Sequence, residues 1–139
     1  MKASIEKIEP AFGSSFSIKK FSRQYLRKRP VWHMHPEFEV VYISDGEGKR
    51  HIGNHISYFK NGDLIFLGPN LPHFGFTQDQ HEDHYEIVAQ MREDFMGPDF
   101  MERSELRHIK GLLERARTGL SFHGKTKMDV GRKLLKIYK

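Results

Sequence analysis

Three histidines and a choice of carboxylates carry the chemistry open to this chain. His33 and His35 stand two apart in Trp32-His33-Met34-His35-Pro36-Glu37-Phe38-Glu39, and His73 follows in Gly68-Pro69-Asn70-Leu71-Pro72-His73. Residues two apart on an extended strand point to the same side, so both imidazoles would face one interior. Three neutral imidazoles and one carboxylate suit a borderline divalent ion such as Zn, Ni, Fe or Mn, with one or two positions left open for water or a ligand. The same groups would equally make the polar floor of a small-molecule pocket, hydrogen-bonded to a ligand or to one another. Parity puts Glu37 with the histidines, but Pro36 interrupts the alternation, so periodicity does not choose between Glu37 and Glu39. His51, His55, His81, His84, His108 and His123 show no ligand spacing and read as surface positions.

The elements that must hold these groups read as β up to about residue 95. Phe16 to Phe21, Phe38 to Ile43, Lys49 to Ile52, Ile56 to Phe59, Leu64 to Leu67 and His84 to Met91 are rich in β-branched and aromatic residues or alternate in polarity. Ser44-Asp45-Gly46-Glu47-Gly48, Gly53-Asn54 and Asn61-Gly62 are turns by composition, and Thr77 to Asp83 reads as a polar loop. Short strands with frequent Gly and Pro turns argue for a sandwich or small barrel. Val31, Val41, Ile43, Ile65 and Leu67 would line such a barrel around the site, as pocket wall or as plain core. Trp32 has the opposite parity and is expected outside, against helices. Arg50 could form a salt bridge or hold an anionic effector, with a solvated side chain the favoured reading.

The period then changes. Asp99-Phe100-Met101-Glu102 has capping-box form, and Leu106, Ile109, Leu112, Leu113 and Ala116 follow at helical spacing up to Gly119. Thr126-Lys127-Met128-Asp129 resembles a second cap, before Val130, Leu134, Leu135, Ile137 and Tyr138. Two helices result, each with an apolar stripe. Thr118 to Lys125 separates them, too long for the turn of roughly three or four residues in a DNA-reading helix-turn-helix. Charge follows the same division. Residues 1–96 carry 12 Lys and Arg against 13 Asp and Glu, whereas residues 97–139 carry 11 against 5. A solvated helical face accounts for that excess more readily than proximity to nucleic acid.

The 139 residues suit one domain with an appendage. With no cysteine, disulfides and thiolate zinc sites are excluded. The sequence holds no apolar run of about 18 residues and no signal-peptide pattern, so cytoplasmic residence without a membrane partner is the expectation.

His33-x-His35, three residues, Glu39, six residues and Gly46 resembles the first cupin motif at full spacing. Gly62, five residues, then Gly68-Pro69-Asn70-Leu71-Pro72-His73 resembles the second, with Gly68 where Pro is usual, Asn70 where Gly is usual and Thr77 at the final Asn position. The wider chain resembles the N-terminal effector domain of an AraC-type bacterial transcription regulator. Carrying this likeness are Trp32-His33-x-His35 with Glu37-Phe38-Glu39, Asp45-Gly46-Glu47-Gly48, Gly62-Asp63-Leu64-Ile65, Leu71-Pro72-His73 and the basic two-helix tail.

The resemblance implies a mainly β fold: a cupin (double-stranded β-helix, or jelly-roll barrel) followed by a C-terminal two-helix appendage. Residues 1–96 would be the cupin-like sensor domain, and residues 97–139 a helical linker and dimerisation hairpin. A small-molecule effector, a sugar for instance, would occupy a pocket of His33, His35, Glu37, Glu39, Val41, Ile65 and His73. His33, His35, Glu39 and His73 would be the ligands of one divalent metal ion, if the site holds one. The chain would form a homodimer through its C-terminal helices, and would reach DNA only through a helix-turn-helix domain outside this sequence. The helical pattern is still running at Lys139, as expected if the natural protein continues. Residues up to about Phe16 would form an arm over the pocket. No residue is assigned a catalytic role. The competing expectation is a metal-dependent cupin enzyme, an oxygenase or isomerase, with Glu37 as a nearby base.

Overall fold

Period-two alternation along the apolar segments sorts side chains to two faces, and both faces are covered. A computed structural model describes residues 2–7, 15–22, 32–74, 77–79 and 84–139. Its strands are β1 (Ser4–Ile5), β2 (Phe16–Ser22), β3 (His33–Met34), β4 (Phe38–Ile43), β5 (Glu47–Ile52), β6 (His55–Phe59), β7 (Asp63–Leu67), β8 (Thr77–Asp79), β9 (Tyr85–Met91) and β10 (Leu120–Ser121). The α-helices are α1 (Arg107–Arg115) and α2 (Gly124–Tyr138). The architecture is mainly β with two C-terminal helices.

One sheet has the strand order β10-β7-β4-β9-β2, and a second has β6-β5-β8, while β1 pairs with β3 in parallel. In the five-stranded sheet Glu39 lies opposite both Leu67 and Gln90, and Val41 opposite both Ile65 and Val88. The even spacing along β4, β7 and β9 therefore sends Val41, Ile43, Ile65, Leu67 and Val88 to one side. There they join Phe59 in an apolar core between the sheets. The other side presents Leu64, Ile87 and Ala89 to Leu134 of α2, and Phe38 and Phe66 to Ala116. A sheet apolar on both faces needs a layer on each; the second sheet and the helices supply them.

Several local expectations change. Thr77–Asp79 is a short strand whose pairing with Glu47 and Gly48 of β5 completes the smaller sheet, rather than part of a polar loop. Asp99 makes no side-chain cap; it precedes a 3-10 turn at Phe100–Glu102, and Glu102 instead pairs with Lys110 at 3.1 Å. The second helix begins at Gly124, after the extended His123. Asp129 thus falls inside it, one turn from Lys125 and Arg132, and pairs with both. The segment between the helices also forms β10, which pairs with β7 (Leu120 opposite Phe66) and stitches the hairpin into the larger sheet. Trp32 packs on barrel rings where helices were expected: its ring lies 4.5 Å from that of His51 and 5.1 Å from that of Phe74.

A candidate effector and metal site

Backbone pairing brings the distant histidines together. His33 N–H donates to the carbonyl of His73 at 3.0 Å, and His73 N–H to that of His33 at 2.9 Å. Asn70 N–H donates to the carbonyl of His35 at 2.7 Å. Asn70 has φ 60°, a left-handed conformation that Asn tolerates better than most side chains. This accounts for its substitution at the motif's usual Gly.

The imidazoles of His33, His35 and His73 are buried, with candidate ligand nitrogens within 4.8 Å of one another. Glu39 points at them. Its Oε1 lies 3.2 Å from His35 Nε2 and its Oε2 3.1 Å from His73 Nε2. Glu37 does not share this position. Its carbonyl is 3.2 Å from His35 Nδ1 and its carboxylate 3.7 Å from the same nitrogen, on the opposite edge of the ring. The turn at Pro36 breaks the alternation and hands the inward position to Glu39. Val41 and Ile65 lie deeper, in the apolar core beneath the polar cluster. Val31 and His81 fall outside the described residues.

Sequence reasoning missed two neighbours. Gln90 Nε2 donates to Glu39 Oε1 at 2.7 Å. Its place on β9 opposite Glu39 is legible only once the strand register is known. Glu6 Oε2 lies 3.2 Å from His33 Nε2; a carboxylate outside the motifs gives no spacing signal. Two other expectations are corrected. Arg50 is not solvated: it is buried and paired in bidentate fashion with Asp63, Nε to Oδ2 at 2.6 Å and Nη2 to Oδ1 at 3.2 Å. His84 is not a surface histidine either; it is buried, with Nδ1 2.7 Å from the carbonyl of Asp45.

Hydrogen-bond roles show what the cluster stabilises. Nδ1 of His35 faces a carbonyl, and Nδ1 of His73 faces the Leu71 carbonyl at 2.8 Å. Carbonyls only accept, so each Nδ1 carries the hydrogen. Each Nε2 then points at a carboxylate oxygen, another acceptor. A hydrogen must lie between nitrogen and oxygen in each pair, or a cation must be shared by them. Burial works against charge on both partners. For Glu39 the hydrogen bonds from His35 and His73 outweigh it and hold the carboxyl well below the usual range. Burial also opposes a charged His35, but Glu39, with Glu6 and Glu37 further off, raises its pKa above the ordinary imidazole value. Anchored tautomers with converging Nε2 atoms and a carboxylate about 3 Å away are also the arrangement that prepares ligands for a divalent ion. The residues therefore fit the metal that the motif implies.

The family model for the AraC-like ligand binding domain matches residues 20–97, more than half of the chain. The chain belongs to the AraC-like ligand-binding domain family. Two solved structures of ToxT agree at the level of fold. Apo ToxT from Vibrio cholerae, a lysine-to-alanine variant, matches with TM-score 0.56 and 12% identity over 89% of this chain and 48% of that one. ToxT from the same organism bound to (E)-4-(8-methylnaphthalen-1-yl)but-3-enoic acid matches with TM-score 0.50 and 12% identity over 91% of this chain and 49% of that one. A cupin 2 conserved barrel domain protein from Rhodopseudomonas palustris matches with TM-score 0.39 and 18% identity, covering 78% of this chain and 74% of that one. The chain thus spans about half the length of the ToxT chains it matches. A search of curated protein sequences finds no match. No described helix is long and apolar enough to cross a membrane.

Proposed function

We propose that this AraC-like domain senses a small-molecule effector at the His33, His35, Glu39 and His73 centre and relays its binding through α1 and α2 to a DNA-binding segment. The segment Gly68 to His73 carries the reading. Gly68 N–H donates to the Ala116 carbonyl at 2.7 Å, Asn70 N–H donates to the His35 carbonyl, and the Leu71 carbonyl receives His73 Nδ1–H. Six residues thereby hold the floor of the site at one end and the helical hairpin at the other. Gly68 also explains its departure from the motif's Pro. Proline has no N–H to donate, and a Cβ at this position would lie 2.7 Å from the Arg117 Cα.

An effector that favours one arrangement of this segment shifts the population toward it. In a homodimer the shift would change the spacing of two attached DNA-binding units. Support for a second copy on the helices comes from Ile109, Met128, Ile137 and Tyr138, which remain 44–60% exposed. The bound ToxT ligand is a carboxylic acid with a large apolar body, so organic acids join sugars in the screen. In the full-length regulator, Glu39→Ala and His73→Ala should each abolish effector-dependent transcription from a reporter while leaving the protein at normal abundance. An unchanged effector response in both would refute the pocket.

The second reading is a metal-dependent cupin enzyme, favoured by the buried three-histidine set. When bound there, the metal would supply Lewis-acid or oxygen-binding chemistry. The chain's part would be to hold neutral Nε2 donors on His35 and His73 by anchoring each Nδ1–H, and to exclude water by burial. Turnover in an oxygen-consumption or isomerisation screen of tag-free, metal-loaded protein would favour the enzyme over the sensor.

A further inference from the structure

Glu6 reaches the centre from β1, outside the two barrel motifs. Glu6 N–H donates to the Met34 carbonyl at 2.8 Å and Ser4 N–H to that of Trp32 at 3.0 Å. The pairing of β1 with β3 is only two residues long, Ser4 with His33 and Ile5 with Met34. Apolar burial adds little to this contact, since Ile5 is 75% exposed. A carboxylate on a buried histidine is the stronger tie: Glu6 Oε2 stands 3.2 Å from His33 Nε2. That imidazole also packs edge-on against His73, with ring centroids 4.2 Å apart, so the segment after β1 reaches the centre through the Glu6 side chain.

We propose that Glu6 is a cation-dependent latch, through which a divalent ion at His33, His35 and His73 and the docking of β1 stabilise each other. This rests on the cation-holding form of the centre described above. An ion beside His33 polarises the imidazole and adds positive charge within reach of the Glu6 carboxylate. The carboxylate is then held more tightly than in the ion-free centre. Linkage makes the effect reciprocal: whatever factor the ion adds to docking, docking adds to ion affinity. A docked β1 covers His33 from outside the barrel, so ion occupancy would regulate access to the effector site.

Hydrogen exchange on the tag-free chain tests the latch, with Zn2+ as the probe and a competing fluorescent chelator to measure affinity. Saturating Zn2+ should slow exchange of the Glu6 amide about tenfold, and Glu6→Gln should remove that slowing and weaken Zn2+ binding by about tenfold, the lower end for a supporting partner of a metal ligand. Zn2+ binding with no change at the Glu6 amide overturns the coupling while leaving the metal centre intact. Slowing that persists in Glu6→Gln overturns the role of Glu6. If the wild-type chain takes up no Zn2+, the cation reading and the latch fall together, and the effector reading stands apart from both.

Discussion

Glu39 sits between two imidazoles whose other nitrogens are already committed to carbonyls, and this makes the ion-free centre sensitive to pH from both sides. His35 has a raised pKa in the folded chain. Its contribution to stability is complete below the unfolded value of about 6.5 and is lost as pH rises through the folded value. Glu39 has a lowered pKa. Its contribution is present above the unfolded value of about 4.3 and disappears as pH falls through the folded one. The chelator-treated protein should therefore be most stable between about pH 4.5 and 6.5. Thermal unfolding followed across pH should show the alkaline loss in the wild type and less of it in Glu39→Gln, where His35 loses its hydrogen-bonded carboxylate and keeps only Glu37 and the more distant Glu6. At pH 8, a divalent ion that replaces the missing protons should restore the melting temperature. A second residue-scale expectation concerns the far end of the barrel. Asp63→Ala leaves the buried Arg50 guanidinium without its bidentate partner and should cost about 3–5 kcal/mol in chemical denaturation. Loss below about 1 kcal/mol would mean that water replaces the pair.

The connecting elements carry constraints that side-chain type alone does not reveal. Gly68 sits where the hairpin touches the barrel, with the Ala116 carbonyl and the Arg117 backbone both under 3 Å from any added Cβ. Gly68→Ala must push the turn at Ala116–Thr118 outward, at a cost of about 1–3 kcal/mol typical of overpacking. Amides of α1 should then exchange faster, while those of β4 and β9 keep their protection; uniform loss would show that the two layers unfold as one. Gly131 plays the matching part on α2, where an added Cβ would fall 2.4 Å from the Tyr42 ring. Composition marked both positions only as glycines. Their close approaches follow from how the helices lie on β4 and β7, and the apolar periodicity contained no information about that.

At the scale of the molecule, the five-stranded sheet carries the polar cluster on one face and the helical hairpin on the other. Glu39 and Gln90 look inward to the histidines, while Phe38, Val40 and Phe66 look outward to the hairpin. A small displacement of β4 would be felt on both sides, as the proposed relay requires. If the exposed apolar side chains of the helices seat a second copy, Ile137→Glu should turn a dimer into a monomer in sedimentation analysis. An unchanged dimer would place the contact elsewhere.

Sequence by itself determined what depends on local spacing and residue type. The His-x-His pair with its carboxylate and the Pro-bounded His73 announced a barrel motif, period-two segments announced strands, and the switch to helical period announced the hairpin. It also placed Gly46, Gly62 and the short turns, because positive φ is a local demand. Motif spacing favoured Glu39 over Glu37, and tertiary structure decided it, because Pro36 breaks the parity on which a periodicity argument depends. Register alone put Gln90 against Glu39, and the packing of one sheet on the other put the buried Arg50 of β5 against Asp63 of β7. Glu6 joined the centre through a two-residue parallel pairing too short to leave a pattern. Each of these contacts joins residues by strand pairing, by the packing of the sheets or by the path of a turn, and such energies depend on neighbours across the fold rather than along the chain.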